Sequence, residues 1–478
     1  MTTLEFPVAG EWASGAQTRE VRSPYDDGLL AVVPSFTALD VDRAVAVGKS
    51  ALVSHPLAAH ERAAILDRAA VLLAERADEI SRDLAAEAAK PLTQARMEVQ
   101  RAVSTLQFCA AEARTFTGDM VPMDAAAAGV GHLGLVLRMP VGVVGAITPF
   151  NFPLNLVAHK LGPAVAAGCP VVNKPASQTP LSALHLAKVL FDAGLPMDYL
   201  SVVPGPGSVI GDALVHNDDV ALISFTGSPE VGWDIRRAAP HKRVGLELGN
   251  NSPLIICADG DWRAAAKAVR LAGFSHAGQS CISTQRILVD ERIKGEFVAE
   301  LVTQVESLVV GDPLDEATEV SALISRSETE RVATWVDAAV AGGATLATGG
   351  DRTTQDHLRP TVLVDASPED DVCATEVFGP VVVVRGFSDL RSAVEEANDS
   401  RYGLQAAIFT QDIDTALWAA RTLDFGGVLI NQVPTWRADH MPYGGLRDSG
   451  NTREGPGWSI REMTEERLVV VKTGPGPA

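Results

Sequence analysis

The stretch Val141–Gly168, VGVVGAITPFNFPLNLVAHKLGPAVAAG, reads as strand, turn and helix in succession. Its first eight residues are small or β-branched and uncharged, the composition of a strand buried on both faces. PFNFP (149–153) interrupts the run, and the remainder is a helical stretch closed by glycine. The same rhythm continues downstream. PVVNKP (170–175), LSVVPG (200–205), VALISFTG (220–227) and VGLELG (244–249) are further apolar runs, separated by LSALHLAKVLFDAG (181–194), a helix over Ser208–Val215 and another from Glu230. Five strands in about 110 residues, separated by helices, predict a parallel sheet covered on both faces, a doubly wound fold of the dinucleotide-binding kind.

Working outward, a second α/β series follows: PLIICA (253–258), a helix over Trp262–Gly273, RILVD (286–290), a helix over Lys294–Val309, TVLVD (361–365), PVVVVRGF (380–387), a helix over Leu390–Asn398, LQAAIFT (404–410), a helix over Ile413–Leu423, and GGVLIN (426–431). The fold class is therefore α/β, with two doubly wound lobes meeting at a cleft. Before the first sheet, Ile65, Ala69, Leu73, Ala77, Ile80 and Leu84 fall at spacings of three and four, which predicts one amphipathic helix over Glu61–Glu87; a second is predicted over Glu98–Ala113. HLGLVLRM (132–139) and RLVVVK (467–472) fit neither lobe. Apolar strand edges are normally covered, so these read as an oligomerisation arm. The expected division is a dinucleotide-binding domain from 1–115 and 140–248, a catalytic domain from 249–448, and an arm from 116–139 and 449–478, with the tail TGPGPA loose.

Bulk properties narrow the function. A formal charge of −20 leaves no basic excess to neutralise phosphates, which argues against nucleic acid as partner. Five cysteines without a CxxC pair form neither a disulfide framework nor a zinc site, and no metal is expected. The opening MTTLEFPVAGEWASG lacks the basic and apolar regions of a signal peptide, and no apolar run is long enough to span a membrane. The expectation is a cytoplasmic protein.

Five positions invite chemistry. Cys281 lies in GQSCIST (278–284), flanked by small polar residues. Asn151 follows a strand and is braced by prolines and aromatics, where a carboxamide can donate to an oxyanion. Glu247 ends an apolar strand; burying a charge there is costly without a purpose, and a raised pKa suits a general base. Lys174 stands at a strand's C-terminal end, where doubly wound sheets bind ligands, and the turn Gly227-Ser228 runs into a helix that offers free N–H groups to a pyrophosphate. Apart from Glu247, each has a plainer reading: a small buried thiol, a turn asparagine, a solvated lysine, a helix cap.

Together these segments resemble the aldehyde dehydrogenase superfamily. PFNFP, NKPA, FTGSPEVG, LELG, GQSC, EVFGP (376–380) and PYGG (442–445) occur in that family's order, and Glu247 precedes Cys281 by the family's 34 residues. The resemblance implies that Cys281 is the nucleophile, that Asn151 with the Cys281 backbone N–H holds the oxyanion, and that Glu247 activates the water that opens a thioester. It implies a nicotinamide dinucleotide held by Phe150, Lys174, Ser177, Gly227, Ser228, Gly232, Leu248, Glu376 and Phe378, and a homodimer or homotetramer. Members that pass the acyl group to coenzyme A typically lack the glutamate, so hydrolysis is expected.

Three departures bear on detail. NAD-specialised members often carry glutamate three positions after the lysine; Ser177 stands here, which removes repulsion against a 2′-phosphate and leans the expectation toward NADP alongside NAD. Asn250 replaces a common second glycine after LELG, and DSGNTREG (448–455) lacks the usual glycine before its arginine. WRADHMPYGG (436–445) resembles members acting on small polar aldehydes such as lactaldehyde, phosphonoacetaldehyde and glyceraldehyde 3-phosphate. Arg437, helped by Arg101, His159, Ser280 and Arg286, would hold a hydroxyl or anionic tail, a guanidinium suiting carboxylate geometry. Phosphate-handling relatives often have arginine just before the nucleophile, and Ser280 there favours hydroxy-aldehydes or semialdehydes. Arg286 reads equally as a structural ion pair, and His159 as a satisfied helix histidine. Two other functions stay open at this level. One is a cofactor-independent cysteine hydrolase or esterase, with His276 at a helical position near Cys281; the other is a non-catalytic dinucleotide-binding scaffold.

Overall fold

Two largely parallel sheets carry the structure, a computed structural model that describes residues 3–473. The first has five parallel strands in the spatial order Arg243–Glu247, Val220–Thr226, Val143–Ile147, Val171–Lys174, Leu200–Val202. Chain order runs outward from Val143–Ile147 to one edge and then restarts on its other side with Val220–Thr226. The switch point thus lies between these two strands, where ligands of doubly wound sheets sit at the carboxyl ends. PFNFP and the Gly227 turn leave those two strands, and Lys174 and Glu247 close the strands beside them.

The second sheet has seven strands in the order Thr345–Thr348, Thr361–Val364, Val381–Phe387, Arg286–Asp290, Pro253–Ile256, Gln405–Phe409, Gly427–Ile430, all parallel except the first. The segments carrying Gly249, Cys281 and Glu376 all lead into strands of this sheet. The carboxyl edge of the first sheet therefore faces the amino edge of the second, and the phenyl rings of Phe150 and Phe378 meet edge to face across the junction, 5.8 Å apart.

Helix Asn155–Ala167 decides what the site contains. It is wedged between the first sheet, helix Leu92–Thr115 and helix Pro456–Glu462, and every one of its residues is buried. An apolar sequence on all sides explains this. The exceptions, Asn155, His159 and Lys160, are carried into the interior and must find partners there.

The expected helix Glu61–Glu87 is instead two, Ala59–Glu75 and Ala77–Ala88, divided at Arg76, which leaves helical geometry (φ −97°, ψ 12°). Both halves keep the apolar face, so periodicity alone does not register the break. The next helix begins at Leu92, directly after Pro91, rather than at Glu98, and ends at Thr115. Helices Ala38–Ser54 and Arg326–Ala341, the antiparallel edge strand Thr345–Thr348 and two N-terminal hairpins were not expected from the sequence. In the arm, His132–Pro140 pairs antiparallel with Thr464–Lys472 over nine residues, with Asp119–Val121 on the far side. Leu468, Val470, Val471 and Met120 are exposed along it. Within the described residues 449–473 only Thr464–Lys472 joins this sheet; Pro456–Glu462 packs back on the first lobe. From Gly474 the tail lies outside the described residues. Among the described residues no helix is long and apolar enough to cross a membrane, and no His/Cys/Asp/Glu cluster is suited to a metal.

Candidate active site

The approach to Cys281 is left-handed. His276 (φ 49°), Ala277 (φ 53°) and Gly278 (φ 72°) lie in the αL region one after another. Two non-glycine residues there cost roughly 1–2 kcal/mol each, so the surroundings must hold them. Gln94, on the long helix of the first lobe, accepts from the His276 N–H (2.7 Å) and the Ser275 hydroxyl (3.0 Å) and donates to the Glu319 carbonyl (2.7 Å). Gln279 donates to the His276 carbonyl (3.1 Å) and accepts from the Ile324 N–H (2.9 Å). Gly278 has no alternative, because a Cβ would lie 2.0 Å from the Gly379 carbonyl oxygen. His276 is thus not the helical residue expected. It is buried, shares no hydrogen bond with Cys281, and burial with the Lys90 charge keeps it neutral.

Cys281 is half-buried as a residue, and its Sγ meets the Tyr443 hydroxyl at 2.8 Å. Burial pushes its thiol up to about 12, with the Tyr443 hydrogen bond and the Arg437 charge opposing. Ser280 beside it turns its hydroxyl toward the Ile282 N–H (3.4 Å).

Asn151 comes to the same place from the first lobe. Its Nδ2 donates to the Gln279 carbonyl (2.9 Å), leaving a second N–H, and its Oδ1 is buried without a partner. The turn is pinned from below by the buried pair Lys90–Glu98. Lys90 Nζ donates to the Asn151 carbonyl (2.6 Å) and Glu98 accepts from the N–H groups of Leu154 (2.9 Å) and Asn155 (3.1 Å). Neither residue was singled out in the sequence, where Lys90-Pro91 reads only as a helix end.

Glu247 is 4% exposed, and neither carboxylate oxygen has a partner. Burial, reinforced by the Glu454 charge, raises its pKa well above the carboxylate range. Room for it exists because Gly444 of PYGG lacks a Cβ, which would lie 2.9 Å from Oε1. Behind it stands a charged cluster that the all-buried helix requires. Glu454 accepts from Arg437 Nη2 (2.8 Å) and lies 3.9 Å from Lys160, which donates to Ser224 (3.0 Å). His159 Nε2 lies 3.3 Å from both Asp439 and Arg437, and burial lowers its pKa. Arg101 donates to Asp439 (2.9 Å) and is the most exposed of the group. Arg437 is buried to 5% at its side chain, stacks on Tyr443 at 3.8 Å and has an unpartnered Nε. Arg286 does not belong here. Each of its three guanidinium nitrogens donates to a main-chain carbonyl, of Asn251, Glu396 or Ala397 (2.9–3.1 Å), and it forms no ion pair among the described residues.

On the cofactor side, Lys174 is buried rather than solvated and forms no ion pair among the described residues. Burial and the Arg19 charge lower its pKa to about 8. Ser177 donates to the Gly205 carbonyl (3.1 Å) and borders a cavity of about 710 Å³ shared with Arg19 and Arg326. Ser228 caps helix Pro229–Ala238 through the Val231 N–H (3.4 Å), after Gly227. A Cβ on Gly232 would lie 2.5 Å from the Leu248 side chain, so this glycine lets helix and strand pack closely. Glu376 accepts from the Asn250 N–H (2.9 Å), and burial raises its pKa to about 8. Gly249 is required beneath it, a Cβ there lying 2.4 Å from Oε2.

Comparison with known proteins agrees with this geometry. A sequence model of the aldehyde dehydrogenase family matches residues 12–469. The chain is 45% identical over 464 residues to a 3-sulfolactaldehyde dehydrogenase of Priestia aryabhattai, covering 97% of each. Its structure superposes on aldehyde dehydrogenase 21 of Physcomitrella patens, solved with the reaction product succinate, with a TM-score of 0.96 at 38% identity and 99% coverage of both chains. Glyceraldehyde-3-phosphate dehydrogenase GapN of Methanocaldococcus jannaschii, solved with NADP, gives 0.92 at 36% identity, covering 96% of this chain and 100% of that one. With the match spanning both lobes and the arm, the chain belongs to the aldehyde dehydrogenase family.

Proposed function

We propose that the protein oxidises a small aldehyde bearing a hydroxyl or anionic group to its carboxylic acid, with NADP or NAD as oxidant and water as acyl acceptor. The residues fit a nicotinamide dinucleotide. Lys174 is a buried cation with no acidic partner among the described residues, Glu376 stands at the lobe junction beside the Phe150–Phe378 pair, and Ser177 itself carries no negative charge. Lys174 would hold the adenosine ribose, Ser228 with the Gly227 turn the pyrophosphate, and Glu376 the nicotinamide ribose. Gly232 and Leu248 would shape the wall. When bound, the nicotinamide supplies a hydride acceptor.

The chain's own part follows from placement. Cys281 Sγ bonds to the aldehyde carbon, and the oxyanion takes hydrogen bonds from the free Asn151 N–H and the Cys281 N–H. Loss of hydride from that carbon restores the carbonyl as a thioester. Glu247 then accepts a proton from water, whose oxygen adds to the carbonyl; the C–S bond breaks, releasing the acid and returning the thiolate. The observation that carries this reading is Glu247, a buried carboxylate with no hydrogen-bond partner, near enough to Cys281 for its charge to raise the thiol pKa.

The unpartnered Arg437 Nε, with Arg101 and His159 beside it and Ser280 next to the sulfur, supports a polar or anionic tail. The named relatives act on or were solved with a sulfolactaldehyde, succinate and glyceraldehyde 3-phosphate system, which agrees with that class. The exposed apolar arm supports a homodimer or homotetramer. Aldehyde-dependent nicotinamide reduction tests the reaction, and an Arg437→Lys variant tests the tail. It should raise KM for a carboxylate-bearing semialdehyde far more than for propanal; equal changes would remove Arg437 from the substrate site.

A further inference from the structure

Family members with a nucleophilic thiol need some group to hold it as thiolate, and the obvious candidates are absent here. His276 is neutral and shares no bond with the sulfur, and the nearby carboxylates of Glu247 and Glu376 oppose a negative charge on it. Among the described residues the side chain hydrogen-bonded to the sulfur is Tyr443. Its hydroxyl lies 2.8 Å from Cys281 Sγ, its residue is 3% exposed, and its ring packs with Ile282, Leu404 and Met441. Its backbone is fixed by a two-way antiparallel bridge to Glu454, with N–H to carbonyl distances of 2.9 and 2.6 Å. Glu454 in turn holds Arg437, whose guanidinium lies over the Tyr443 ring at 3.8 Å.

We propose that the Tyr443 hydroxyl is a further catalytic group, donating a hydrogen bond to the Cys281 thiolate and fixing the sulfur's direction of attack, with Arg437 polarising the phenol from over its ring. This rests on Cys281 being the nucleophile. In the thiol form either atom can donate, but a thiolate only accepts, so the contact is stronger once the proton has left. The phenol serves because burial, with the Cys281 charge adding, keeps it protonated. A guanidinium over a desolvated ring draws on the ring's electrons and makes the O–H a better donor. Three charged side chains act on the sulfur: Arg437 favours the thiolate, Glu376 and Glu247 disfavour it, and all three are present in the wild type and in the variant.

The test is the pH dependence of Cys281 alkylation by iodoacetamide in the protein without aldehyde or dinucleotide, followed by mass spectrometry of the Cys281 peptide. Tyr443→Phe keeps the ring, its packing and the arginine contact. It should move the profile up by about one pH unit, which is ~10-fold slower labelling at a fixed pH below the midpoint. Replacing tyrosine globally by the more acidic 3-fluorotyrosine should move it down without removing any atom of the hydroxyl. Profiles unchanged by both substitutions would overturn the proposal. Because labelling needs no turnover, that outcome is distinct from failure of the reaction itself, which Cys281→Ser would reveal by retaining aldehyde oxidation.

Discussion

The loop that presents Cys281 and the pocket that holds Glu247 lie on either side of one cleft and are built on opposite principles. Around the cysteine, polar groups are tied down: Gln94 and Gln279 hold a left-handed turn, Asn151 holds the Gln279 carbonyl, and Lys90 with Glu98 holds Asn151. Around Glu247 the pairing is incomplete: Glu454 accepts from Arg437, but the Arg437 Nε and both Glu247 carboxylate oxygens have no partner among the described residues. The difference teaches that a nucleophile needs position, which hydrogen bonds supply, whereas a general base needs a free lone pair near its proton's pKa, which only isolation from partners supplies.

The comparison can be broken from the nucleophile's side first. Cys281→Ser should cut aldehyde-dependent nicotinamide reduction by ~10⁴-fold or more, measured by absorbance, since nothing else in the cleft replaces the sulfur. Glu247→Gln should leave a burst of about one reduced nicotinamide per site, followed by turnover slowed ~10²- to 10⁴-fold, because acylation precedes the need for a base. Stopped-flow absorbance separates the two phases, and absence of a burst would place Glu247 in the first step.

Stability sharpens the same contrast. Gly278→Ala meets both a positive φ and the Gly379 carbonyl, and should lower stability by ~3 kcal/mol or more in urea titrations. Gln94→Leu strands the His276 N–H and should cost about 1–3 kcal/mol with a smaller loss of turnover. The pH dependence has a definite sign. Glu376, buried with its folded pKa raised to about 8, binds its proton more tightly folded than unfolded. Its contribution is fully present below the ordinary carboxylate range near pH 4.5 and is lost as pH rises toward 8, and Glu247 acts in the same direction. Thermal melting between pH 5 and 8 should show a decline that Glu376→Gln reduces. Over the same range kcat/KM should rise, since the Cys281 thiol, held up by burial, loses its proton more readily.

Much of the fold was legible because parallel strands buried on both faces must be continuous apolar runs, and all five strands of the first sheet and six of the second appear as such. The edge strand Thr345–Thr348, largely exposed, carries no such signal. Helices Ala38–Ser54 and Arg326–Ala341 lie outside the alternating strand and helix runs from which the two lobes are read. Arg76 divides a helix without disturbing its apolar face. In the site, Cys281, Glu247 and Asn151 were found because each is an odd residue in its local context. Gln94, Lys90, Glu98 and Tyr443 were not, because each is ordinary where it stands and acquires its role from a partner between 8 and 182 residues away.

Arg437 and Arg286 show most plainly where the division falls. Residue type and spacing by themselves determined that the chain makes two α/β lobes and carries a thiol, a carboxamide and a carboxylate at the ends of strands. Only the tertiary structure decided that one arginine stacks on Tyr443 beside the sulfur while the other is spent on three carbonyls. The reason is physical: hydrophobic periodicity is written along the chain, but desolvation and pairing depend on what packs against a group, and those neighbours come from everywhere else in it.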